Sequence, residues 1–374
     1  MRIGIDLLWV RVGICGGTES FIRNLLDGFT QYASQHEYML FTARDNTWSF
    51  QHYTEHPCIK IHECRVDSAN QIKRILWENL QLDKAAVREQ VDVMLIPVYS
   101  KPTTHSKIPY VSVIADLQAI HYPQYFSVIK RFFLRSAWAK TCRSSDRIIA
   151  ISDYVKEDIA KYYPVASDKL ITVYVPVLTR KSSVSFLEIA EKFGLEQEKY
   201  FYCVSSMLPH KNLPTVLKMM QLRKQRGEME ERLVLSGVGG DDSKIQELVN
   251  KLDIGELLVF TGFVSNEERD CLYENCDVFL FPSIFEGFGM PPIEAMRKGK
   301  NVVMTECTCL REVTEGKAVY VKDPFDPEEW DEKIAEAKQR EGKKEAFEEY
   351  SLECIVAEYS KILEKQSKIR GVNR

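Results

Sequence analysis

Nowhere does this chain carry an uncharged apolar run approaching the roughly 18 residues that a membrane span requires. A spanning helix is therefore not expected. An excess of either charge is also missing. Fifty Lys and Arg stand against 54 Asp and Glu, a net charge of −4, so the overall balance does not point to nucleic acid as a partner. The ten cysteines are scattered and form no C-x-x-C pair. Cys307 and Cys309 come closest, and a one-residue gap suits neither a zinc knuckle nor a redox pair. Reduced thiols in a cytosolic setting are the expectation. Seven histidines form no catalytic constellation, and the G-x-G-x-x-G spacing of a dinucleotide turn does not occur.

What is present is ordinary globular material, 374 residues with 45% hydrophobic and 28% charged side chains. That length usually means two domains. The opening stretch Met1–Val10 is too short an apolar run for a secretory leader, carries Asp6, and leads into a glycine turn. It reads as a first buried strand over Ile3–Val10.

Short apolar runs then alternate with helical periodicity. The pattern predicts strands over Tyr38–Thr42, Ile59–His62, Val93–Pro97, Val111–Ile114, Arg147–Ile151 and Leu170–Val173. It predicts helices over Thr18–Tyr32, Ala69–Gln81, Val128–Ser144 and Asp153–Tyr163. Such alternation means a parallel sheet with helices on both faces. The same pattern restarts at Tyr200, with further strands at Leu233–Gly237, Leu258–Thr261, Val278–Phe281, Asn301–Thr305 and Ala318–Val321. The expected division is residues 1–180, residues 181–350, and a terminal stretch 351–374. Leu352, Ile355, Val356, Tyr359 and Leu363 make that last stretch an amphipathic helix, expected to pack back on the first domain.

The segment richest in chemistry is Phe281–Met296. It follows an apolar strand and holds Gly287 and Gly289, then Pro291 and Pro292, with Glu286 and Glu294 on either side. Glycines let the backbone turn and approach a ligand. Paired prolines suit a first helical turn. A helix N-terminus behind a glycine loop suits a diphosphate, and the two carboxylates can accept hydrogen bonds from vicinal hydroxyls. A second segment, Ser205–Asn212, follows the strand at Tyr200–Val204. Its Lys211 can place a cation on a phosphate, and its Asn212 can begin a helix.

The spacing of Glu286 and Glu294 resembles the E-x7-E signature of the retaining GT-B glycosyltransferases of family 4, which include bacterial mannosyl- and glucosyltransferases. The resemblance extends over most of the chain. It implies an α/β architecture of the GT-B type: two Rossmann-like, doubly wound parallel-sheet domains facing across a cleft. By it, Glu286 lies beside the transferred hexose, the backbone of Gly287, Phe288, Gly289 and Met290 contacts sugar and phosphate, and Glu294 holds the ribose. Ser206, His210 and Lys211 fall in the family's phosphate-binding turn, where His210 stands as a weaker, pH-dependent cation. Gly16 and Gly17, after the first strand and before the expected N-cap Thr18, match a loop that closes on donor phosphate or positions the acceptor. Asp116, the catalytic candidate alongside Glu286, lies in a strand-end segment similar to the family's H-D-L, with Ala115 where histidine is common.

The activity implied is metal-independent, retaining transfer of a hexose, with no cofactor. The donor is a nucleotide-diphosphate sugar (GDP-mannose or a UDP-hexose). The acceptor is a glycan or lipid-linked saccharide in cell-surface polysaccharide synthesis. A sugar-nucleotide epimerase of the same fold and a non-catalytic donor-binding subunit are the alternatives. Ser127–Arg147 carries Lys130, Arg131, Arg135, Lys140, Arg143 and Arg147 against Asp146 alone. This basic helix either meets an anionic membrane or packs in the core with a solvated basic edge. A cytoplasmic protein, peripheral at the inner membrane face, with no nucleic-acid partner, is the resulting expectation.

Overall fold

The computed structural model describes residues 1–98 and 106–371. The chain divides into two compact units, Met1–Val177 with Glu348–Arg374, and Leu178–Phe347.

The first unit is built on seven strands: β1 (Arg2–Asp6), β2 (Glu37–Ala43), β3 (Ile59–Cys64), β4 (Val93–Ile96), β5 (Tyr110–Ile114), β6 (Arg147–Ala150) and β7 (Leu170–Thr172). They pair in the order β3-β2-β1-β4-β5-β6-β7, every pairing parallel. The second unit has β8 (Tyr200–Val204), β9 (Arg232–Ser236), β10 (Leu258–Gly262), β11 (Val278–Phe281), β12 (Asn301–Thr305) and β13 (Val319–Val321). These pair as β10-β9-β8-β11-β12-β13, again all parallel. Both sheets reverse their winding beside their own first strand, between β1 and β4 and between β8 and β11. Reversal there places helices on both faces and opens a ligand crevice at the carboxyl ends of the two central strands.

Burial on both faces explains the composition of the strands. Val278, Phe279, Leu280 and Phe281 are all buried, as are Leu233, Val234 and Leu235, which is the near-continuous apolar run of a covered parallel sheet. In the second unit Phe201, Leu213, Val216, Leu217, Leu235, Leu280 and Trp330 share one core.

Three local expectations are corrected. The first strand stops at Asp6 rather than Val10. The Asp6 carboxylate accepts from the Leu8 N–H at 3.1 Å, and the Trp9 indole donates to the Asp6 carbonyl at 3.0 Å, so residues 7–10 form a buried turn. The helix expected over Ala69–Gln81 is three pieces: α over Gln71–Trp77, a π-turn over Glu78–Leu82, and α over Asp83–Arg88. Within it Glu78 is buried and paired with Arg74 at 2.9 Å, while the Asn79 amide bonds the Ile75 carbonyl at 2.6 Å and accepts from Lys140 at 2.6 Å. The π-turn thus falls where these polar side chains turn inward. The helix Val128–Ser144 forms where expected but buries Leu134, Ala137, Trp138, Thr141 and Cys142. Ile129 and Phe132 stay 83% and 75% exposed, so the helix packs in the core through one face while these apolar side chains point to solvent.

The terminal helix Leu352–Gly371 packs on the helix Gly17–Tyr32. Gly28 makes this approach possible, because a Cβ there would lie 2.6 Å from a Val356 methyl. Alanine is the better helix former, yet Gly28→Ala is expected to destabilise this unit by about 1–3 kcal/mol through overpacking. Val356→Ala in the same background should recover most of that loss, as a urea-denaturation double-mutant cycle will read.

Candidate active site

The crevice of the second unit is bounded by two loops, Ser205–Asn212 after β8 and Pro282–Gly289 after β11. Their strands are neighbours, with Val278 opposite Phe201 and Phe279 opposite Tyr202. The loops are also stitched together. The Ile284 N–H donates to the His210 carbonyl at 2.8 Å, and the Ser283 hydroxyl lies 3.2 Å from the same oxygen.

A third loop supports them from the end of β12. Thr305 donates to the Ser283 carbonyl at 2.5 Å. The Glu286 N–H donates to the Thr308 hydroxyl at 3.2 Å, and the Cys309 thiol lies 3.3 Å from the carbonyls of both Glu286 and Phe288. Neither Thr308 nor Cys309 is a site residue on the sequence reading, which considers Cys309 only as a metal or redox ligand. Their signal was a short polar stretch, Glu306–Cys309, following an apolar strand.

The glycine loop ends at Gly289, which caps the helix Met290–Arg297 with φ of 95°. A Cβ here would stand 2.8 Å from a Leu310 methyl, so both the left-handed backbone and the space require glycine. Pro291 and Pro292 follow in the first turn. They carry no N–H. The donors left in that turn are the N–H groups of Gly289 and Met290, fewer than a generic helix start would offer. The Phe288 side chain is buried, so this residue can serve a ligand through its backbone.

The two loops meet chemically in one ion pair. Lys211 Nζ lies 2.6 Å from Glu286 Oε1 and 5.8 Å from the centre of the Phe281 ring. Both side chains keep partial exposure, 23% for Lys211 and 15% for Glu286, so a ligand can reach the pair. Asn212 holds Lys211 in place from the next position. It takes up a left-handed backbone with φ of 49°, donates to the Pro324 carbonyl at 2.6 Å and accepts from Thr215 at 2.8 Å.

His210 corrects an expectation. Its side chain is buried, and burial followed by the Lys211 charge lowers its pKa from 6.5 to about 4. It is neutral near pH 7, and its part in the site is the carbonyl that ties the two loops. Ser206 sits in the turn with its carbonyl 3.4 Å from the Ser205 hydroxyl.

Glu294 lies one turn into the helix Met290–Arg297 and is largely buried. It accepts from the Tyr273 hydroxyl at 2.9 Å, with the Arg269 guanidinium 3.5 Å from its other oxygen. Tyr273 and Arg269 are four residues apart on the helix Asn266–Asn275 and so share one face. Neither was expected from the sequence.

The structure therefore brings Ser206, His210, Lys211, Glu286, Gly287, Phe288, Gly289, Met290 and Glu294 to one edge of one sheet. Gly16, Gly17 and Asp116 belong to the other unit. Gly16, not Thr18, is the N-cap of the helix Gly17–Tyr32, with φ of 55° and no side-chain cap. Asp116 accepts from the Gln118 N–H at 2.9 Å, ahead of a short helix after β5 whose N-cap is Leu117. His121 pairs with Asp158 at 2.7 Å. Among the described residues no group of three or more His, Cys, Asp or Glu is placed to hold a metal. Asp242, beside Asp241, caps the helix Ser243–Leu252.

Two doubly wound parallel-sheet units, each with its own crevice, define a GT-B architecture. Sequence comparison agrees. Residues 15–180 match the model of Glycosyltransferase Family 4, and residues 185–353 match that of Glycosyl transferases group 1. The chain belongs to the family 4 type of GT-B glycosyltransferases. It is 30% identical over 243 residues to the O-antigen chain mannosyltransferase RfbU of Salmonella typhimurium, covering 63% of this chain and 64% of that protein. It is 28% identical over 224 residues to O-antigen chain mannosyltransferase B of Escherichia coli, covering 58% of each. These matches thus span roughly six-tenths of the relatives' length. Among solved structures, HepE of Anabaena in complex with UDP-glucose superposes with a TM-score of 0.73 at 14% identity, covering 98% of this chain and 100% of that one. WaaG, a glycosyltransferase involved in lipopolysaccharide biosynthesis, superposes with a TM-score of 0.68 at 15% identity, covering 96% and 99%.

Because the folded pKa of His210 is depressed, its stabilising contribution is complete above 6.5 and is lost as pH falls toward about 4. Urea midpoints should therefore drop over that window by an amount equivalent to roughly 2–3 kcal/mol at its acid end. His210→Gln should flatten the slope. An unchanged slope in the variant would place the titrating group elsewhere.

Proposed function

We propose that this chain transfers a hexose, with retention of configuration and without a metal or resident cofactor, from a nucleotide-diphosphate sugar to a saccharide or lipid-linked acceptor. GDP-mannose is the preferred reading of the donor, supported by the mannosyltransferase names of the relatives. A UDP-hexose is the second, supported by the UDP-glucose complex of a structural neighbour. Surface-polysaccharide synthesis of the O-antigen kind is the proposed setting.

The observation that carries this reading is the Lys211–Glu286 pair at 2.6 Å, at the crevice and beside a glycine-capped helix start. An arriving diphosphate offers Lys211 a more highly charged partner than Glu286. The lysine turns to the phosphates, joined by the N–H groups of Gly289 and Met290. Glu286 is released to accept hydrogen bonds from hexose hydroxyls. As the bond between the anomeric carbon and the phosphate oxygen breaks, Lys211 stabilises the charge growing on the leaving diphosphate. Glu286 faces the positive charge growing on the sugar. The acceptor hydroxyl attacks from the same face, forms the new bond to the anomeric carbon, and passes its proton to the departing phosphate oxygen. Such a step needs no protein nucleophile.

The helix Val128–Ser144 supports a peripheral site of action. Val128, Ile129 and Phe132 are exposed beside Lys130, Arg131 and Arg135, and Ile72, Leu76 and Leu80 repeat at four-residue spacing along an exposed face of Gln71–Leu82. Apolar side chains ringed by cations fit the interface of an anionic bilayer. No helix among the described residues is long and apolar enough to cross a membrane.

Incubation with GDP- and UDP-sugars is expected to release nucleoside diphosphate with transfer, and no epimer. Glu286→Ala and Lys211→Ala should each lower kcat/KM by about 100-fold or more. Donor binding with equal, negligible turnover in wild type and Glu286→Ala would instead favour a non-catalytic donor-binding subunit. In co-sedimentation, vesicles rich in phosphatidylglycerol should retain the wild-type chain. The pair Ile129→Ser and Phe132→Ser should lower the vesicle partition coefficient by about 100-fold or more, each lost side chain removing about 1.5–3 kcal/mol of burial.

A further inference from the structure

Glu294 is not a solitary carboxylate. One oxygen accepts from Tyr273 at 2.9 Å, and the other faces Arg269 at 3.5 Å. The second contact is at the long limit of a hydrogen bond, although burial should favour a tighter one. A guanidinium carries five N–H donors. This one makes that single long contact, and among the described residues its buried Nε has no hydrogen-bond partner. The neighbouring Tyr202 hydroxyl is committed to Ser236 at 2.9 Å, and Ser236 to Thr261 at 2.7 Å. The Glu294 charge is the main influence that keeps this guanidinium charged, and one carboxylate oxygen cannot occupy all five of its N–H donors. The Arg269 side chain keeps 26% exposure against 9% for Glu294, so the accessible edge of the pair belongs to the arginine.

We propose that Arg269 is a specificity residue for the donor's ribose, donating to the oxygens of the same vicinal diol whose hydroxyl protons Glu294 accepts. This rests on the proposed nucleotide-sugar donor and on the reading, implied by the family resemblance, that Glu294 holds its ribose. A carboxylate can only accept, and a guanidinium can only donate. Each hydroxyl of a diol needs both once it leaves water. Glu294 alone would satisfy the hydroxyl protons, leave the oxygen lone pairs dry, and place a negative charge near an already anionic ligand. Arg269 corrects both deficits from one helix face, with Tyr273, one turn further along, holding the far carboxylate oxygen. The arrangement discriminates by the rule that a site built for a hydroxyl rejects the analogue lacking it.

The test is a ratio, which separates this role from general electrostatic attraction. Affinities of wild type and Arg269→Met are measured by calorimetry for GDP or UDP, whichever binds wild type more tightly, and for its 2′-deoxy counterpart. Wild type should prefer the ribonucleotide by about tenfold or more. In Arg269→Met both ligands should weaken and the preference should fall to within about threefold. If that variant does not fold, Arg269→Lys replaces it. Lysine keeps the charge but cannot supply parallel donors, so overall affinity should survive better than the ratio. A variant that keeps the wild-type ratio overturns the assignment of Arg269. Equal binding of ribo- and deoxynucleotide by wild type overturns the ribose role of Glu294 and this inference with it. Failure of wild type to bind either nucleoside diphosphate overturns the proposed function itself.

Discussion

The pairing of Lys211 with Glu286 is the constraint around which the second unit is arranged. The two residues are 75 positions apart and stand 2.6 Å from one another. They meet because β8 and β11 are adjacent at the point where the sheet reverses its winding. Neither residue is fully exposed, so water screens the attraction only in part. Neither is sealed, so a more highly charged ligand can displace the pair. A surface pair would lack the strength, and a fully buried pair would be too costly to open. In the proposed function, partial burial is what lets a diphosphate displace the pair.

Holding that pair requires backbone rigidity, and the backbone here is fixed largely by hydrogen bonds between loops. The His210 carbonyl takes the Ile284 N–H, Thr305 takes the Ser283 carbonyl, and Thr308 and Cys309 take the polar groups of Glu286 and Phe288. Three strand ends thus brace one glycine loop. Burial of His210 keeps it neutral, so Lys211 rather than His210 carries the positive charge of the Ser205–Asn212 loop. Preorganisation of this kind keeps reacting groups in place before a ligand arrives.

In the first unit the buried polar chemistry sits behind β1. Burial pushes the Asp6 carboxyl up, and burial together with the Asp6 charge pushes Glu78 up, with Arg74 opposing both shifts. The π-turn that carries Glu78 also presents Leu80 to solvent. The same helical register therefore feeds a polar cluster inward and an apolar stripe outward. A single continuous α-helix over Ala69–Gln81 would have placed those side chains differently.

Much of this was legible in the sequence, and for identifiable reasons. Strand–helix alternation with apolar runs such as Val278–Phe281 determines parallel sheets covered on both faces, because only full burial tolerates such runs. Gly289 with Pro291 and Pro292 determines a turn into a helix, because few other residues accept that backbone. The spacing of Glu286 and Glu294 fixes two carboxylates on either side of it. Tertiary structure alone decided the rest. That Lys211 faces Glu286, that His210 is neutral, and that Arg269 and Tyr273 surround Glu294 all depend on which strands neighbour one another and how deeply each group is buried. The exposure of Ile129 and Phe132 is likewise invisible to periodicity, which marks an apolar face without saying whether protein covers it. Local pattern sets backbone conformation through short-range sterics. Charge state and partnership follow from distance and solvent access, which only the assembled fold defines.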